Sequence, residues 1–486
     1  MEFSDDRLGN LAHRLSDDPA WEALEQDLWQ ATMDVYELEV AGVRLDSTTS
    51  YGYHQPTEEG VMQYGHSKDH RSDLPQLKLM AAAAEPSGHR LSCDVHPGEC
   101  ADDGLYIPLI ARVRGMVGCT GVLYAGDSKM AALSTRAYLA AHQDYYLVPL
   151  PRMGQTASLF EEWVEAAVEG FHPATLVWQG DRLLGAGYEF ERPVRGVLEN
   201  GQEIGWTEQV VVVRSLSLAR RQQATLERHL TQAEAEVWAL TPALGRGKRQ
   251  IREEGELSEA IARILDRHGV RDILRIPYQR QETRTTRYVG PGRGGPHRPT
   301  CTEVTVRYQI TSVGRDQAAL KARVHRLGWR VYATNAPQKK LSFQQTGVHY
   351  RGGWSLEHDF HLVKDLPLGL SPLFVWKDDQ IKGLTRLLTL ALRLRPLLQT
   401  QVRQELAKEG DPLEGLYEGQ PTHTPDRPTG KRILKAFAQA QITLTCVEIQ
   451  GETYWHLTPL PSVLERILRH LRLPESIYTS MVHNSS

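Results

Sequence analysis

Residues 350–364, YRGGWSLEHDFHLVK, place one carboxylate and one lysine at a spacing that chemistry could use. Apolar side chains recur there at i, i+4 and i+7, which predicts a helix with a buried stripe. The stripe consists of Leu356, Phe360 and Val363. Glu357 and Lys364 are seven residues apart, close to two helical turns, so both lie on one face beside the stripe. An exposed helix side with an incidental charge pair has the same pattern. This segment alone therefore does not distinguish a catalytic helix face from an ordinary exposed one.

Two further carboxylates end or follow strand-like segments, Asp46 in VRLDSTTS and Asp127 in VLYAGDSK. Asp46 before Ser-Thr-Thr also suits a turn, and Asp127 also suits a cap for the helical pattern that follows it. In this order along the chain, and together with Glu357, the two aspartates favour another hypothesis. Three carboxylates on a mixed α/β core can hold two Mg²⁺ ions for phosphoryl transfer.

The chain resembles the DDE transposases of bacterial insertion sequences, the cut-and-paste class whose last acidic residue lies in a Y-x2-R-x3-E-x6-K signature. Tyr350, Glu357 and Lys364 fall in register with that signature, whereas Gly353 occupies the arginine position and Arg351 lies two residues earlier. The segments LDSTTSYGY, YGHSKDHRSDLPQL, LYAGDSKM and VYATNAP follow the family's order over roughly the first 410 residues. GHSKDHRSDL is the most specific of these segments, and the tail LTPLPSVLERILRHLRLPESIY resembles one subgroup.

The resemblance implies an α/β fold with an RNase H-like mixed-sheet catalytic core, a largely β insertion domain that interrupts it, and a small C-terminal α+β tail. It implies that Asp46, Asp127 and Glu357 are catalytic and hold two Mg²⁺ ions, with Mn²⁺ as an alternative cofactor. The implied activity is metal-dependent cleavage and transfer of DNA strands at the ends of an insertion sequence. The implied partners are double-stranded DNA, both transposon ends and target, and a second copy of the chain in a homodimer.

Contacts with DNA are expected from two segments. The resemblance implies that Tyr350 and Lys364 contact a phosphate near the cleaved end. Arg351, two residues before the arginine position of the signature, is a further candidate for a DNA contact. In the loop GHSKDHRSDL, basic side chains are further candidates for phosphate contacts beside the active site. They are Lys68, His70 and Arg71. The Gly/Pro-rich stretch RQETRTTRYVGPGRGGPHRPT is predicted to be a loop or hairpin, either an exposed linker or a basic segment that follows a phosphate backbone.

The pattern of elements divides the chain into six parts. Residues 1–35 are an N-terminal helical remnant, 36–150 the first part of the core, 151–340 the β-rich insertion, 341–410 the second part of the core with the signature helix, 411–430 a linker, and 431–486 a C-terminal element that reads helix, hairpin, helix. The resemblance implies that the chain begins after the N-terminal DNA-binding region usual in the family. We therefore expect recognition of the element's ends to need upstream sequence or a separate polypeptide, unless the chain is a truncated remnant.

Composition limits the kind of nucleic-acid site. The 486 residues carry a net charge of −4, so any DNA site must be a local patch rather than a uniformly basic surface. The five cysteines form no CxxC pair, which fits a reducing compartment and argues against structural zinc. No apolar run approaches the ~18 residues that span a membrane. The expected location is the bacterial cytoplasm, with the chain bound to DNA and to no membrane.

Two other functions remain open on the sequence. A nuclease on the same core would cut DNA without end-specific strand transfer. A truncated or domesticated remnant would bind DNA without catalysis; the missing N-terminal region and Gly353 favour it. The three carboxylates in register oppose it.

Overall fold

The computed structural model describes residues 5–154, 156–245, 247–291, 293–297, 299–350, 354–365, 368–417, 419, 424–450, 452–474 and 476–478. The helices are α1 (Asp5–Ser16), α2 (Asp18–Tyr36), α3 (Tyr106–Val117), α4 (Leu133–Ala141), α5 (Thr156–Val168), α6 (Leu216–Leu240), α7 (Glu254–His268), α8 (Gln317–His325), α9 (Phe343–His349), α10 (Trp354–Lys364), α11 (Asp378–Glu409), α12 (Gly430–Gln439) and α13 (Ser462–His470). The strands are β1 (Val40–Tyr51), β2 (Gln76–Pro86), β3 (Arg90–Pro97), β4 (Leu123–Ala125), β5 (Tyr145–Pro149), β6 (Thr175–Gln179), β7 (Arg182–Val197), β8 (Glu203–Ser215), β9 (Leu274–Arg275), β10 (Tyr278–Tyr288), β11 (Thr300–Ile310), β12 (Gly314–Arg315), β13 (Trp329–Thr334), β14 (Leu444–Ile449) and β15 (Glu452–Leu457). The fold is mixed α/β, as predicted.

One large mixed sheet organises the chain, with nine strands in the order β3-β2-β1-β4-β5-β13-β8-β7-β6. β1, β2 and β3 pair antiparallel, and β4 and β5 continue the sheet parallel to β1. Helices connect the later strands, α3 between β3 and β4 and α4 between β4 and β5. β2 is buried along almost its whole length, as expected of an inner strand that is covered on both faces.

The strands predicted around the two aspartates are confirmed as β1 and β4. β1 does not end at Asp46, because its pairing with β2 runs on to Tyr51 and includes Asp46 opposite Ala81. The alternative in which Asp46 forms a turn is therefore wrong. Asp127 follows the last residue of β4 by two positions, as the sequence indicated.

The helix predicted within residues 350–364 is confirmed as α10, which begins at Trp354, and its predicted apolar stripe is buried. Leu356, Phe360 and Val363 are 1%, 5% and 0% exposed. They pack on side chains of β2 that include Leu79 and Ala81. This contact fixes α10 on one face of the sheet, while α3 packs on the opposite face through a separate core.

The segment 151–340, predicted as a β-rich insertion, contributes strands to the same sheet. β13 pairs with β5 and with β8, and β7 and β6 complete that edge. Helices α5 to α8 lie in the same segment, so it mixes helix and strand. The predicted polar helix is α6, and the basic Gly/Pro-rich stretch belongs to the long β10–β11 hairpin.

Both ends of the described chain follow the sequence prediction. α1 and α2 account for the predicted N-terminal helices, and α12, β14, β15 and α13 give the predicted helix, hairpin and helix. Within the described residues, no helix is both long enough and apolar enough to cross a membrane.

Candidate active site

The first two candidate carboxylates lie side by side on neighbouring parallel strands. Arg44 pairs with Ala125 in the β1–β4 ladder, so two residues further along each chain Asp46 stands opposite Asp127. Neighbouring strands are about 4.8 Å apart, which brings the two carboxylates to one point at the end of β4. Burial raises the pKa of Asp46 to about 6, and the charge of Asp127 adds to this increase while the Lys68 ammonium opposes it. The two acids therefore interact electrostatically.

Asp127 is held by two hydrogen bonds to the same oxygen. The buried Tyr106 hydroxyl at the start of α3 donates to Asp127 Oδ1 over 2.7 Å, and the backbone N–H of Lys129 donates over 2.8 Å. The second bond closes a turn of two residues. α4 begins only at Leu133, so Asp127 is not the cap of that helix. Burial and the nearby Asp127 charge raise the pKa of Tyr106 well above its ordinary value, which keeps the phenol a donor.

Asp46 is held by its neighbour and by a lysine of the GHSKDHRSDL loop. The backbone N–H of Ser47 donates to Asp46 Oδ1 over 2.7 Å, and Lys68 Nζ lies 3.5 Å from the same oxygen. Lys68 Nζ also donates to Ser47 O over 2.5 Å and to Ser47 Oγ over 2.8 Å. A cationic side chain thus lies beside the carboxylate pair.

The donor set of this pair suits a hard cation such as Mg²⁺. Asp46 and Asp127 use Oδ1 for their protein contacts, and from the described residues no hydrogen bond reaches Oδ2 of either. Mg²⁺ is commonly bound by one or two carboxylates together with waters and substrate phosphates. Across the described ranges no group of three or more His, Cys, Asp or Glu side chains is close enough to hold a metal ion. The pair fits one cation, and Glu357 does not join it in this structure.

Glu357 lies on α10, which packs on the sheet face that carries Asp46. The end of α10 is anchored near Ser50, because Ser371 N donates to Lys364 O and Ser371 Oγ is 2.8 Å from Ser50 Oγ.

Nearer the start of α10, Asp359 forms an ion pair with Arg90 of β3. Arg90 pairs with Ala83 of β2, and Ala83 pairs with Arg44 of β1, so Arg90 and Arg44 are level in the sheet. Seven helical residues span only about 10 Å, so Glu357 is roughly level with the middle of β1. Its side chain is exposed, and none of the described residues forms an ion pair or hydrogen bond with it.

Tyr350 lies at the end of α9, near the carboxylate pair. Its ring centroid is 4.8 Å from that of Tyr332, and the Arg330 guanidinium lies 6.0 Å from the Tyr350 centroid. Burial raises the pKa of Tyr350, and Tyr332 and Asp127 add to the increase, which puts the phenol within electrostatic range of Asp127. Arg351 and Gly353 lie outside the described residues.

The loop predicted to contact DNA lies between β1 and β2 and contacts the end of α10. Lys364 Nζ donates to Asp69 Oδ1, and this ion pair joins the end of α10 to the loop. Arg71 makes two hydrogen bonds to Asp73, of 2.8 and 2.9 Å. His70 is exposed and has a positive φ of 58°. Two of the predicted phosphate ligands, Lys364 and Arg71, are thus paired with carboxylates in this structure.

Two residues at the site were missed by sequence reasoning, Asp102 and Tyr106. Asp102 accepts a hydrogen bond from Ser47 Oγ over 3.0 Å and pairs with the buried Lys78 at 2.5 Å. Burial opposes ionisation of Asp102, but Lys78 and the other donors outweigh it and lower its pKa. The sequence DDGLY at the start of α3 offered an acidic pair before a helix, a signal too common to single out.

Comparisons with known proteins add little to this geometry. No protein-family model matches the sequence, and no curated protein matches it. Among solved structures, the chain is similar to a piggyBac transposase in a synaptic complex with hairpin DNA. The TM-score is 0.22 at 8% sequence identity, and the match covers 39% of this chain and 39% of that one. A similarity this limited supports no conclusion about function. The argument for a function therefore rests on the geometry of the site.

Proposed function

We propose that this chain is a transposase that cleaves and joins DNA strands at the ends of an insertion sequence by metal-dependent phosphoryl transfer. The adjacency of Asp46 and Asp127 carries the proposal. Two half-buried carboxylates that repel each other, each with an oxygen open to a cation, cost stability unless a cation binds between them.

The order of the first five strands supports an RNase H-like core. β3-β2-β1 form an antiparallel half, and β4 and β5 extend it in parallel with helical connections. In this arrangement the central strand carries the first acid and the next strand's end carries the second. A helix on the same sheet face carries Glu357.

Each residue of the site has a separate role in the proposed reaction. Asp46 and Asp127 would hold Mg²⁺, and Tyr106 fixes the orientation of Asp127 through its hydroxyl. Bound there, Mg²⁺ supplies Lewis-acid stabilisation and an activated water or 3′-hydroxyl. Lys68 neutralises part of the charge of Asp46 and is close enough to the pair to bind a phosphate oxygen. Glu357 would complete the site once DNA and metal draw its exposed side chain inward.

Tyr350 and Lys364 are proposed to contact the DNA near the reacting phosphate. Tyr350 is within electrostatic range of Asp127, and its ring packs at a tilt of 49° against the ring of Tyr332. When DNA binds, the Lys364 ammonium would leave Asp69 and bind a phosphate instead. The loop that carries Asp69 and Lys68 would then lose its ion pair with α10. A charge-assisted contact to phosphate positions DNA without reading its sequence.

The test is Mg²⁺-dependent cleavage and strand transfer on plasmid DNA that carries the sequences flanking the gene. The variant Asp127→Asn keeps an oxygen for the hydrogen bonds from Tyr106 and Lys129 but removes the charge. We expect a loss of at least about a thousandfold in cleavage rate, because charge in the metal site is removed. The matched control is Asp103→Asn, an exposed acid nearby whose side chain is 56% accessible. It should cleave like the parent.

Each outcome assigns a different function. Cleavage and joining in the parent, lost in Asp127→Asn, would establish the transposase. Cleavage without joining would favour a nuclease on the same core. Binding of DNA with no cleavage under Mg²⁺ or Mn²⁺ would overturn the catalytic proposal and leave a non-catalytic DNA-binding remnant.

A further inference from the structure

A polar cavity lies on the same face of the sheet as Asp46 and Asp127. Its volume is about 180 Å³, and its lining includes Ser215, Ser217, Arg221, Arg330 and Tyr332. A water molecule takes about 30 Å³ of liquid volume, so a phosphate group fits into this space. Two guanidinium groups and three hydroxyl groups line the cavity, and both kinds of group can donate hydrogen bonds to an anion.

Both arginines line the cavity, Arg330 as a partly buried side chain and Arg221 as an exposed one. The fully buried arginines of the fold pair with carboxylates, as Arg44 does with Glu85, Arg90 with Asp359 and Arg136 with Glu208. Among the described residues neither Arg221 nor Arg330 forms an ion pair with a carboxylate, and no acidic side chain lines the cavity. Two guanidinium groups without a counter-charge attract an anion from outside the chain.

The strand register fixes the position of the cavity relative to the carboxylate pair. Ala125 pairs with Leu147 and Leu147 with Thr334, so Asp127 is level with Tyr332, two strands away. Two strand spacings are about 10 Å. Arg330 follows on the same face, and its guanidinium lies over the Tyr350 ring. Ser215 caps the first turn of α6, whose partial positive charge adds to the potential there.

We infer that this cavity binds a phosphate group of the DNA backbone, near the phosphate that reacts at Asp46 and Asp127. The inference rests on the proposed function and deepens it by naming a second contact with the same DNA strand. A duplex advances about 3.4 Å per nucleotide of one strand, so the two sites are roughly three nucleotides apart. Arg330 and Arg221 would hold the phosphate by charge-assisted hydrogen bonds, which position DNA without selecting a sequence.

The experiment compares the parent with the double variant Arg221→Gln/Arg330→Gln and with Arg220→Gln as a matched control. Arg220 is an exposed arginine adjacent in sequence that does not line the cavity. Binding of a short fluorescein-labelled duplex is followed by anisotropy between about 50 and 200 mM KCl. We expect the double variant to bind about tenfold more weakly at low salt, with a salt slope smaller by about 1 for the lost phosphate contact. Arg220→Gln should stay within about twofold of the parent.

Two further measurements keep the result interpretable. The charge-preserving variant Arg221→Lys/Arg330→Lys should recover most of the affinity, and equal melting temperatures of the parent and all variants would exclude misfolding. If the double variant matches the parent in affinity and salt slope while Asp127→Asn still abolishes cleavage, the cavity inference is overturned and the proposed function stands.

Titration with inorganic phosphate distinguishes the source of the anion. If the parent binds no duplex but binds phosphate, and the double variant loses that binding, the proposed function fails and the ligand is a free phosphate. If the parent binds neither duplex nor phosphate, both proposals fail.

Discussion

Carboxylates on the two faces of the large sheet differ in how well their charge is compensated. Glu208 on β8 is fully buried, and both of its oxygens are occupied. Arg192 donates to Oε1 over 2.6 and 2.8 Å, while Oε2 accepts from Arg136 and, over 2.7 Å, from the Tyr146 hydroxyl. At the carboxylate pair, by contrast, two acids face each other with Lys68 as the nearest cation.

The difference separates a carboxylate that serves the fold from carboxylates available to a ligand. A buried charge is tolerated when counter-charges and hydrogen bonds satisfy it, as at Glu208. A pair of like charges with open oxygens is instead a local cost, and such strained electrostatics is typical of functional sites. Neutralising an acid should therefore have opposite effects on stability in the two regions.

The largest expected effect is the loss of stability in Glu208→Gln. The substitution leaves Arg136 and Arg192 enclosed without their counter-charge, which should lower the free energy of unfolding by about 3 to 5 kcal/mol. Urea unfolding followed by circular dichroism measures it. Glu203→Gln, at an exposed position of the same strand, is the control and should change stability by less than about 0.5 kcal/mol. A loss below about 1 kcal/mol in Glu208→Gln would contradict the contrast.

The second effect has the opposite sign and belongs to Asp46→Asn. The folded chain keeps a proton on Asp46 up to about pH 6, whereas the unfolded chain releases it near the ordinary pKa of 3.8. The stability contributed by this group is complete below the lower value and is lost as the pH rises through the higher one. Near pH 8, Asp46→Asn should therefore be more stable than the parent by about 1 to 3 kcal/mol, and near pH 4 about equal to it.

Divalent metal should stabilise the parent relative to Asp46→Asn, the reverse of the order expected near pH 8 without metal. The proposed function has Mg²⁺ bind the folded state through the carboxylate pair, so Mg²⁺ should raise the melting temperature of the parent and leave that of Asp46→Asn unchanged. Calorimetric scans with and without MgCl₂ measure this without any DNA. Equal melting temperatures of the parent with and without metal would count against cation binding by the pair.

Features that depend on local sequence patterns could be predicted, whereas contacts between distant parts of the chain could not. The apolar stripe of α10 and the alternation in β1 are local patterns, and they predicted the helix, its buried face and the strand that carries Asp46. The order of the acids predicted that Asp46 and Asp127 belong together. Tyr106 and Asp102 reach them only through the packing of α3 against the sheet, and no local pattern contains that contact. The pairing of β13 with β5 likewise joins residues far apart in the chain.

The smallest expected effect on stability concerns Glu357, and α10 offers an internal comparison for it. Asp359, two residues further on, points to the opposite side of the helix and is buried in ion pairs with Arg90 and Arg395. It anchors the helix to the sheet and to α11. Glu357 is exposed, and within the described part of the chain no residue pairs with it.

Glu357→Gln should therefore change the free energy of unfolding by less than about 0.5 kcal/mol, since it removes no buried contact. DNA cleavage should nevertheless be lost, because the proposed site needs the charge of Glu357 when metal and DNA are bound. Asp359→Asn is the matched opposite and should destabilise the fold by about 3 kcal/mol or more. Unfolding curves and cleavage assays on the two variants decide the matter. If Glu357→Gln cleaves DNA like the parent, α10 contributes only structure, and the chemistry rests on the carboxylate pair alone.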